Sequence, residues 1–169
     1  MINLRDCRAR VLGADINTDY IISSRRKRES LDPAVLGKYL LEDLDPSFAA
    51  SVQSGDILVA GDNFGCGSAM EVAATVVLGA GIRAVVARSF SRTYYRNAVN
   101  NGLFPVAADT SGLQEGDRVS VVSRDGGLTV MHHRTGRALR ADPLPSIVVA
   151  ILQAGGIVPY FAKHKDFVV

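Results

Sequence analysis

Ile57-Leu58-Val59-Ala60-Gly61-Asp62-Asn63-Phe64-Gly65-Cys66-Gly67-Ser68-Ala69-Met70-Glu71 is the stretch that decides the fold class. Four consecutive apolar residues read as a strand buried on both faces. The glycine-rich residues 61–67 read as a loop. Ser68 with Glu71 three positions later carries a capping-box pattern, which predicts a helix over residues 68–78, closed by Gly79 and Gly81. Strand, glycine loop and helix together make a βα unit, and parallel α/β architecture follows if the pattern repeats.

It does repeat. Residues 84–87 (Ala-Val-Val-Ala) read as a second buried strand, residues 91–100 as a helix stopped by Gly102, and Phe104-Pro105-Val106 as a short edge strand. On the N-terminal side, residues 7–12 alternate apolar and polar as a half-buried strand does, and residues 13–19 form a polar loop. Residues 23–30 hold a charged run, Arg25-Arg26-Lys27-Arg28-Glu29, with no apolar anchor, and are expected to be a solvated, mobile loop. Asp32-Pro33 opens a helix to about Glu42, and Asp45-Pro46 a second short one to about Val52. Residues 118–122 and 128–132 around Arg124-Asp125-Gly126-Gly127 read as a β-hairpin. A further strand is expected over 134–139, and a final helix over 145–154 closed by Gly155-Gly156. One domain over residues 1–169 is the expected organisation, α/β with a β-rich C-terminal part.

Composition narrows the class. Apolar residues are 47% and charged residues 21%, values of an ordinary globular chain rather than a disordered or fibrous one. The net charge of +2, from 19 basic and 17 acidic residues, is too balanced for a nucleic-acid binder. The longest apolar stretch, residues 72–82, is too short to span a bilayer and contains two glycines. No secretory h-region follows Met1. Two cysteines, Cys7 and Cys66, make neither a disulfide framework nor a four-ligand metal site, and a reduced, cytoplasmic setting is expected.

For chemistry, the loop from Gly61 to Glu71 leads. A helix N-terminus offers free N–H groups and a positive dipole end to carboxylates and phosphates. Ser68 there would have its alkoxide stabilised and serve as a base toward a carbon beside a carboxylate; the alternative is that Ser68 only caps the helix. Asp19 reads either as a site carboxylate or as a turn former. Arg25 to Arg28 reads as an anion-binding run or a solvated loop. Cys66 reads as a packing residue, with no histidine nearby in sequence. His132, His133 and His164 match no metal-ligand spacing. Tyr94 to Asn97 reads as functional or as core.

Several segments together resemble one family. Residues 13–22 (Gly-Ala-Asp-Ile-Asn-Thr-Asp-Tyr-Ile-Ile), 41–46 (Leu-Glu-Asp-Leu-Asp-Pro), 63–68 (Asn-Phe-Gly-Cys-Gly-Ser), 95–103 (Tyr-Arg-Asn-Ala-Val-Asn-Asn-Gly-Leu) and 154–157 (Ala-Gly-Gly-Ile) are similar, in order and spacing, to the small subunits of 3-isopropylmalate dehydratase. The resemblance implies the swivelling β/β/α domain of the aconitase superfamily. It implies a hydro-lyase of leucine biosynthesis that dehydrates and rehydrates a small 2-hydroxy di- or tricarboxylic acid. It also implies a separate large subunit, in a heterodimer or heterotetramer, that carries a 4Fe-4S cluster, so that this chain binds no cofactor itself. Ser68 matches the family's base, and Arg28 and Asp19 its substrate-contacting positions. Gly67, Ala69 and Met70 line the same site.

Two positions depart from the family. Gly67-Ser68-Ala69-Met70-Glu71-Val72 stands where the family usually has Gly-Ser-Ser-Arg-Glu-His, so Met70 replaces an arginine that binds a substrate carboxylate, and Ala69 removes a hydroxyl. Methionine cannot replace a charge-assisted, bidentate arginine contact. Arg26-Lys27-Arg28-Glu29 replaces the family's Tyr-Leu-Arg-Thr, adding cations that can partly compensate. Isopropylmalate is the default substrate. Homoaconitate or another hydroxy acid, a non-catalytic anion-binding paralogue, and an RNA-binding module on the basic run are the rivals.

Overall fold

β1 (Asn3–Val11) runs parallel to β2 (Asp56–Ala60), and β2 parallel to β3 (Ala84–Ala87), which is parallel to β4 (Phe104–Ala107). On the other side of β1, the antiparallel strands β5 (Arg118–Arg124), β6 (Gly127–His132) and β7 (Ala138–Ala141) continue the sheet. The order is β4-β3-β2-β1-β5-β6-β7. The two outer strands meet: Ala108 bridges Ala141, and the Asp142 N–H donates to the Ala107 carbonyl at 2.9 Å. The seven strands therefore form a nearly closed ring. The computed structural model describes residues 3–124 and 127–167. The Asp125-Gly126 centre of the expected hairpin turn lies outside them.

Period-2 alternation divides the core. Ala9, Ile57, Val59, Ala84, Val86, Val106, Val119, Val121 and Val130 fill the inside of the ring. Leu58, Ala60, Val85 and Ala87 face outward onto α5 (Val72–Gly79) and α6 (Arg92–Asn100), together with Phe64, Ala73, Val76, Val77 and Tyr94. Because β2 and β3 are covered on both faces, their sequences read as unbroken apolar runs. Both strands, and the edge position of β4, agree with the sequence reading.

Elsewhere the structure corrects it. The expected helix over 33–42 is α3 (Pro33–Leu36) followed by a 3-10 turn, Gly37–Tyr39. A Cβ on Gly37 would stand 2.5 Å from the Gly79 carbonyl carbon, so the chain turns where it must pass the end of α5. The short helix expected after Asp45-Pro46 is α4 (Phe48–Ser51). The strand expected over 134–139 is β7, displaced toward the C-terminus. α7 (Ser146–Gln153) is not the last helix: Gly156, at φ 124°, starts α8 (Ile157–His164). Gly156 packs on the backbone of Asn100 to Gly102 and Gly102 on that of Gly155: a Cβ would fall 2.5 Å from the Asn100 carbonyl oxygen at the first and 2.7 Å from the Gly155 carbonyl carbon at the second. No single helix among the described residues is long and apolar enough to cross a membrane.

Candidate active site

The carboxyl ends of β1, β2 and β3 deliver three loops to one place, the usual location of binding sites in parallel sheets. The loop after β1 leads into α1 (Thr18–Ile21), whose cap is Asn17: its Oδ1 accepts the Asp19 N–H at 2.9 Å. The loop after β2 is stitched to it. Gly65 N–H donates to the Ile16 carbonyl and Thr18 N–H to the Cys66 carbonyl, both at 2.8 Å. The Thr18 hydroxyl donates to the Ser68 carbonyl at 3.0 Å. The loop after β3 secures the other side, with Ser91 Oγ donating to the Gly65 carbonyl at 2.6 Å and Asn63 N–H donating to Ser89 Oγ at 2.8 Å.

Two glycines are required by this stitching. Gly65 lies at φ 76°, and a Cβ there would fall 2.2 Å from the Tyr94 ring. Gly67 lies at φ 91°, and a Cβ there would meet Asn17 Oδ1 at 2.4 Å. Only glycine enters that region of φ without strain and leaves room for the neighbour. Tyr94 itself is fully buried between Phe64 and Phe90 and belongs to the core under the loop. Burial alone pushes its phenol well above the usual range.

Ser68 does not cap α5. The helix starts at Val72, and Glu71 stands at its N-cap with no side-chain cap bond. The capping-box reading fails because Thr18 and Met70 both take the Ser68 carbonyl, at 3.0 and 2.9 Å, and hold residues 67–70 outside the helix. Glu71 instead accepts from Asn101 Nδ2 at 3.1 Å. Ser68 is exposed, between exposed Gly67 and Ala69. Among the described residues the N–H groups of Gly67, Ser68 and Ala69 and the Ser68 hydroxyl carry no protein hydrogen bond. The chemistry assigned to a helix terminus thus rests on a loop of unpaired donors.

The basic run is not a free loop. Arg26 to Glu29 form α2 (Arg26–Glu29). Arg26 donates to both Glu42 oxygens at 2.8 and 2.9 Å and to Glu29 at 3.1 Å, and its guanidinium lies 3.7 Å over the Tyr39 ring. The hydrogen bonds from Arg26 hold the Glu42 carboxyl below its ordinary range, and donating to Glu42 and Glu29 raises the guanidinium. These anchors are distant in sequence, so local composition did not reveal them. Ser24 Oγ donates to Asp19 Oδ1 at 2.9 Å and joins this segment to α1. Lys27 Nζ lies 3.0 Å from Met70 Sδ, on a methionine only 6% exposed. Arg28 is exposed beside it in sequence; neither Arg25 nor Arg28 forms a close ion pair among the described residues, though the charge of Arg25 helps to lower the Glu42 carboxyl.

The structure therefore brings together Asp19, Gly67, Ser68, Ala69 and Met70, with Lys27 over Met70 and Arg28 next to it in α2. Sequence reasoning had not singled out Asn17 or Ser24, and had raised Lys27 only within the basic run, as one of the cations that can partly compensate for Met70.

The histidines lie elsewhere. His132 and His133 are at the end of the β6 hairpin, and His164 stacks on Tyr160. Among the described residues no three His, Cys, Asp or Glu side chains gather as a metal site. Cys7 is buried in β1, and burial pushes its thiol up, while Cys66 lies in the glycine loop. An iron–sulfur cluster needs more thiolates than two such cysteines supply, and the donor set does not fit one.

Comparison with known proteins follows the same lines. Residues 41–111 match the family model described as the aconitase C-terminal domain. The chain is 41% identical over 160 residues to 3-isopropylmalate dehydratase small subunit 2 of Archaeoglobus fulgidus, covering 94% of this chain and 95% of that one. It is 44% identical to small subunit 1 of Methanopyrus kandleri, with 93% and 92% covered. The crystal structure of a 3-isopropylmalate dehydratase protein from Methanocaldococcus jannaschii superposes with a TM-score of 0.90 at 35% identity, covering 97% of this chain and 96% of that one.

Proposed function

The chain belongs to the 3-isopropylmalate dehydratase small-subunit family, and from that premise we propose how its own residues serve the hydro-lyase reaction. Ser68 Oγ, as the alkoxide, takes the proton from the carbon beside a substrate carboxylate and becomes the neutral hydroxyl. The hydroxyl leaves from the neighbouring carbon, an alkene forms, and return of water at the other carbon completes the isomerisation. The N–H groups of Gly67, Ser68 and Ala69 receive the carboxylate, and their unpaired state is the observation that carries this reading. Fixed donors aimed at developing charge lower the barrier without reorganisation. Arg28 supplies a cation to the substrate. Asp19, which accepts from Ser24, contributes a carboxylate to the same site.

The two cysteines leave the 4Fe-4S cluster to a separate large subunit, in a heterodimer or heterotetramer. When bound there, the cluster supplies a Lewis acid for the substrate hydroxyl and carboxylate. We read residues 1–169 as one swivelling domain, built on the continuous seven-stranded sheet. The free thiols support a cytoplasmic setting. The reaction class supports a place in leucine biosynthesis.

An anaerobic dehydration assay tests the reading. The chain is co-expressed with a cluster-bearing large subunit, and alkene absorbance is followed with a panel of 2-hydroxy di- and tricarboxylates. Turnover that depends on Ser68 is the expected result. A complex that assembles with its cluster intact and turns over none of the panel overturns the catalytic reading and leaves an anion-binding paralogue.

A further inference from the structure

Residues 68–72 have two incompatible ways to bond. As a capping box, Ser68 Oγ would accept the Glu71 N–H and the Glu71 carboxylate would accept the Ser68 N–H. The Ser68 carbonyl would receive the Val72 N–H as the first bond of a longer α5. Among the described residues none of the three is formed: the N–H groups of Ser68, Glu71 and Val72 and the Ser68 hydroxyl carry no hydrogen bond. Glu71 accepts from Asn101 Nδ2 at 3.1 Å instead. The Ser68 carbonyl is taken by the Thr18 hydroxyl at 3.0 Å and the Met70 N–H at 2.9 Å. Local sequence thus favours a capped helix, and the tertiary fold favours the open loop. Thr18 stands at the point of choice. It is 1% exposed, and its N–H is tied to the Cys66 carbonyl at 2.8 Å, so its hydroxyl meets the loop from a fixed base. Met70, 6% exposed, holds the segment by packing, whereas Thr18 occupies the very acceptor that the longer helix needs.

We infer that Thr18 is a positioning residue: by occupying the Ser68 carbonyl, its hydroxyl keeps residues 67–69 out of α5 and leaves their N–H groups and the Ser68 hydroxyl free for substrate. The inference rests on the hydro-lyase reading for what those free groups act on. In the capped form the same groups are consumed within the chain. Ser68 Oγ would be spent on the Glu71 N–H. The Ser68 N–H would be spent on the Glu71 carboxylate, which would also stand as a negative charge where a substrate carboxylate must bind. The site would be silenced with every catalytic side chain still present. Substrate binds only the open loop, so a larger capped fraction raises KM and leaves kcat, since saturating substrate draws the loop open again.

The test uses the assembled, cluster-loaded complex and reads hydrogen exchange at the Glu71 and Val72 amides by mass spectrometry beside steady-state kinetics. In the natural complex both amides should exchange as unpaired loop amides do; strong protection of both overturns the inference before any variant is made. Thr18→Val keeps the shape and removes the hydroxyl. It should slow exchange at both amides and raise KM by a common factor of about 10, the effect of one buried hydrogen bond, with kcat within about twofold. Thr18→Ser, which keeps the hydroxyl, should stay within about threefold of the natural KM. Glycine is tolerated at an N-cap, where Glu71 stands, but disfavours the longer helix and removes its box. Adding Glu71→Gly to Thr18→Val should therefore bring KM back to within about threefold of the natural value. A loss confined to kcat, amides that stay unprotected in Thr18→Val, or no recovery in the double variant overturns the inference. Protection that depends on Thr18, in a complex that turns over no hydroxy acid, upholds the positioning role and overturns the dehydratase reading instead.

Discussion

The parallel half of the sheet and its antiparallel half use similar residue types to opposite ends. Around β5 and β6 the side chains of Asp117, Ser120, His132, His133 and Arg134 sit against one another. Arg134 donates to Asp117 at 2.9 and 3.1 Å, His132 Nε2 lies 3.0 Å from the same carboxylate, and His132 Nδ1 is 3.0 Å from Thr135 Oγ1. Nearby, Ser120 Oγ is 2.8 Å from His133 Nε2, and His133 Nδ1 is 3.5 Å from Asp6. Serine, histidine and aspartate in that order look like a nucleophilic triad. But Ser120 is 8% exposed within a strand, its oxygen already accepts the Asp6 N–H, and the carboxylate is beyond hydrogen-bonding reach of the imidazole. At the carboxyl ends of β1 to β3, by contrast, the N–H groups of Gly67 to Ala69 and the Ser68 hydroxyl are left without protein partners among the described residues, and Lys27 has only a methionine sulfur. Chemistry resides where the fold withholds partners, not where reactive residue types are most abundant.

The sharpest way to break this contrast is to remove the free hydroxyl. Ser68→Ala should lower turnover by about 10³-fold, within the span of general-base contributions, while the complex assembles unchanged by size-exclusion chromatography. Near-natural activity would remove Ser68 from the mechanism. Next comes the backbone that presents it. Gly65→Ala forces a Cβ into the Tyr94 ring at a positive φ and should destabilise the subunit by roughly 3 kcal/mol in a denaturant titration. An unchanged midpoint would mean that the loop shifts without cost.

The antiparallel half should respond to acid rather than to activity assays. Hydrogen bonds from Arg134, outweighing the effect of burial, hold the Asp117 carboxyl down to about 2 against an ordinary 3.8. The folded state therefore binds this proton less readily than the unfolded state. Its contribution is complete above about pH 4 and is lost as pH falls toward 2. Asp117→Asn should flatten the acid limb of a stability–pH profile over that window and cost about 1–3 kcal/mol at neutral pH. An unchanged acid limb would place the acid sensitivity elsewhere. The smallest effect is expected from His133→Ala, which should leave kcat/KM within about twofold and lower stability by under about 1 kcal/mol. A large loss of activity there would dissolve the distinction between the two halves.

Much of this was legible in advance, for reasons that differ by region. The strands β2 and β3 announce themselves because burial on both faces leaves only apolar residues. The site loop was legible from its glycines, and two of them, Gly65 and Gly67, are glycine because Tyr94 and Asn17 come too close for a Cβ. The start of α5 was misread because Ser68 and Glu71 satisfy a local capping rule that a distant hydroxyl, Thr18, overrides. The order of residues 23–30 was invisible because its anchors, Tyr39 and Glu42, lie more than ten positions away. α8 was hidden by the Gly155-Gly156 pair, which ends one helix and, by packing on Asn100 to Gly102, starts the next.

The ring of strands is shut by a single rung. Neighbours elsewhere in the sheet share several paired residues, but among the described residues β4 and β7 are joined through Ala108–Ala141 and the Asp142-to-Ala107 hydrogen bond alone. A clasp of that kind seals the sheet against strand addition from another chain while remaining its easiest place to part. Breathing of the ring will begin at this seam, and the amide of Asp142 will exchange with solvent before those of the β5–β6 ladder.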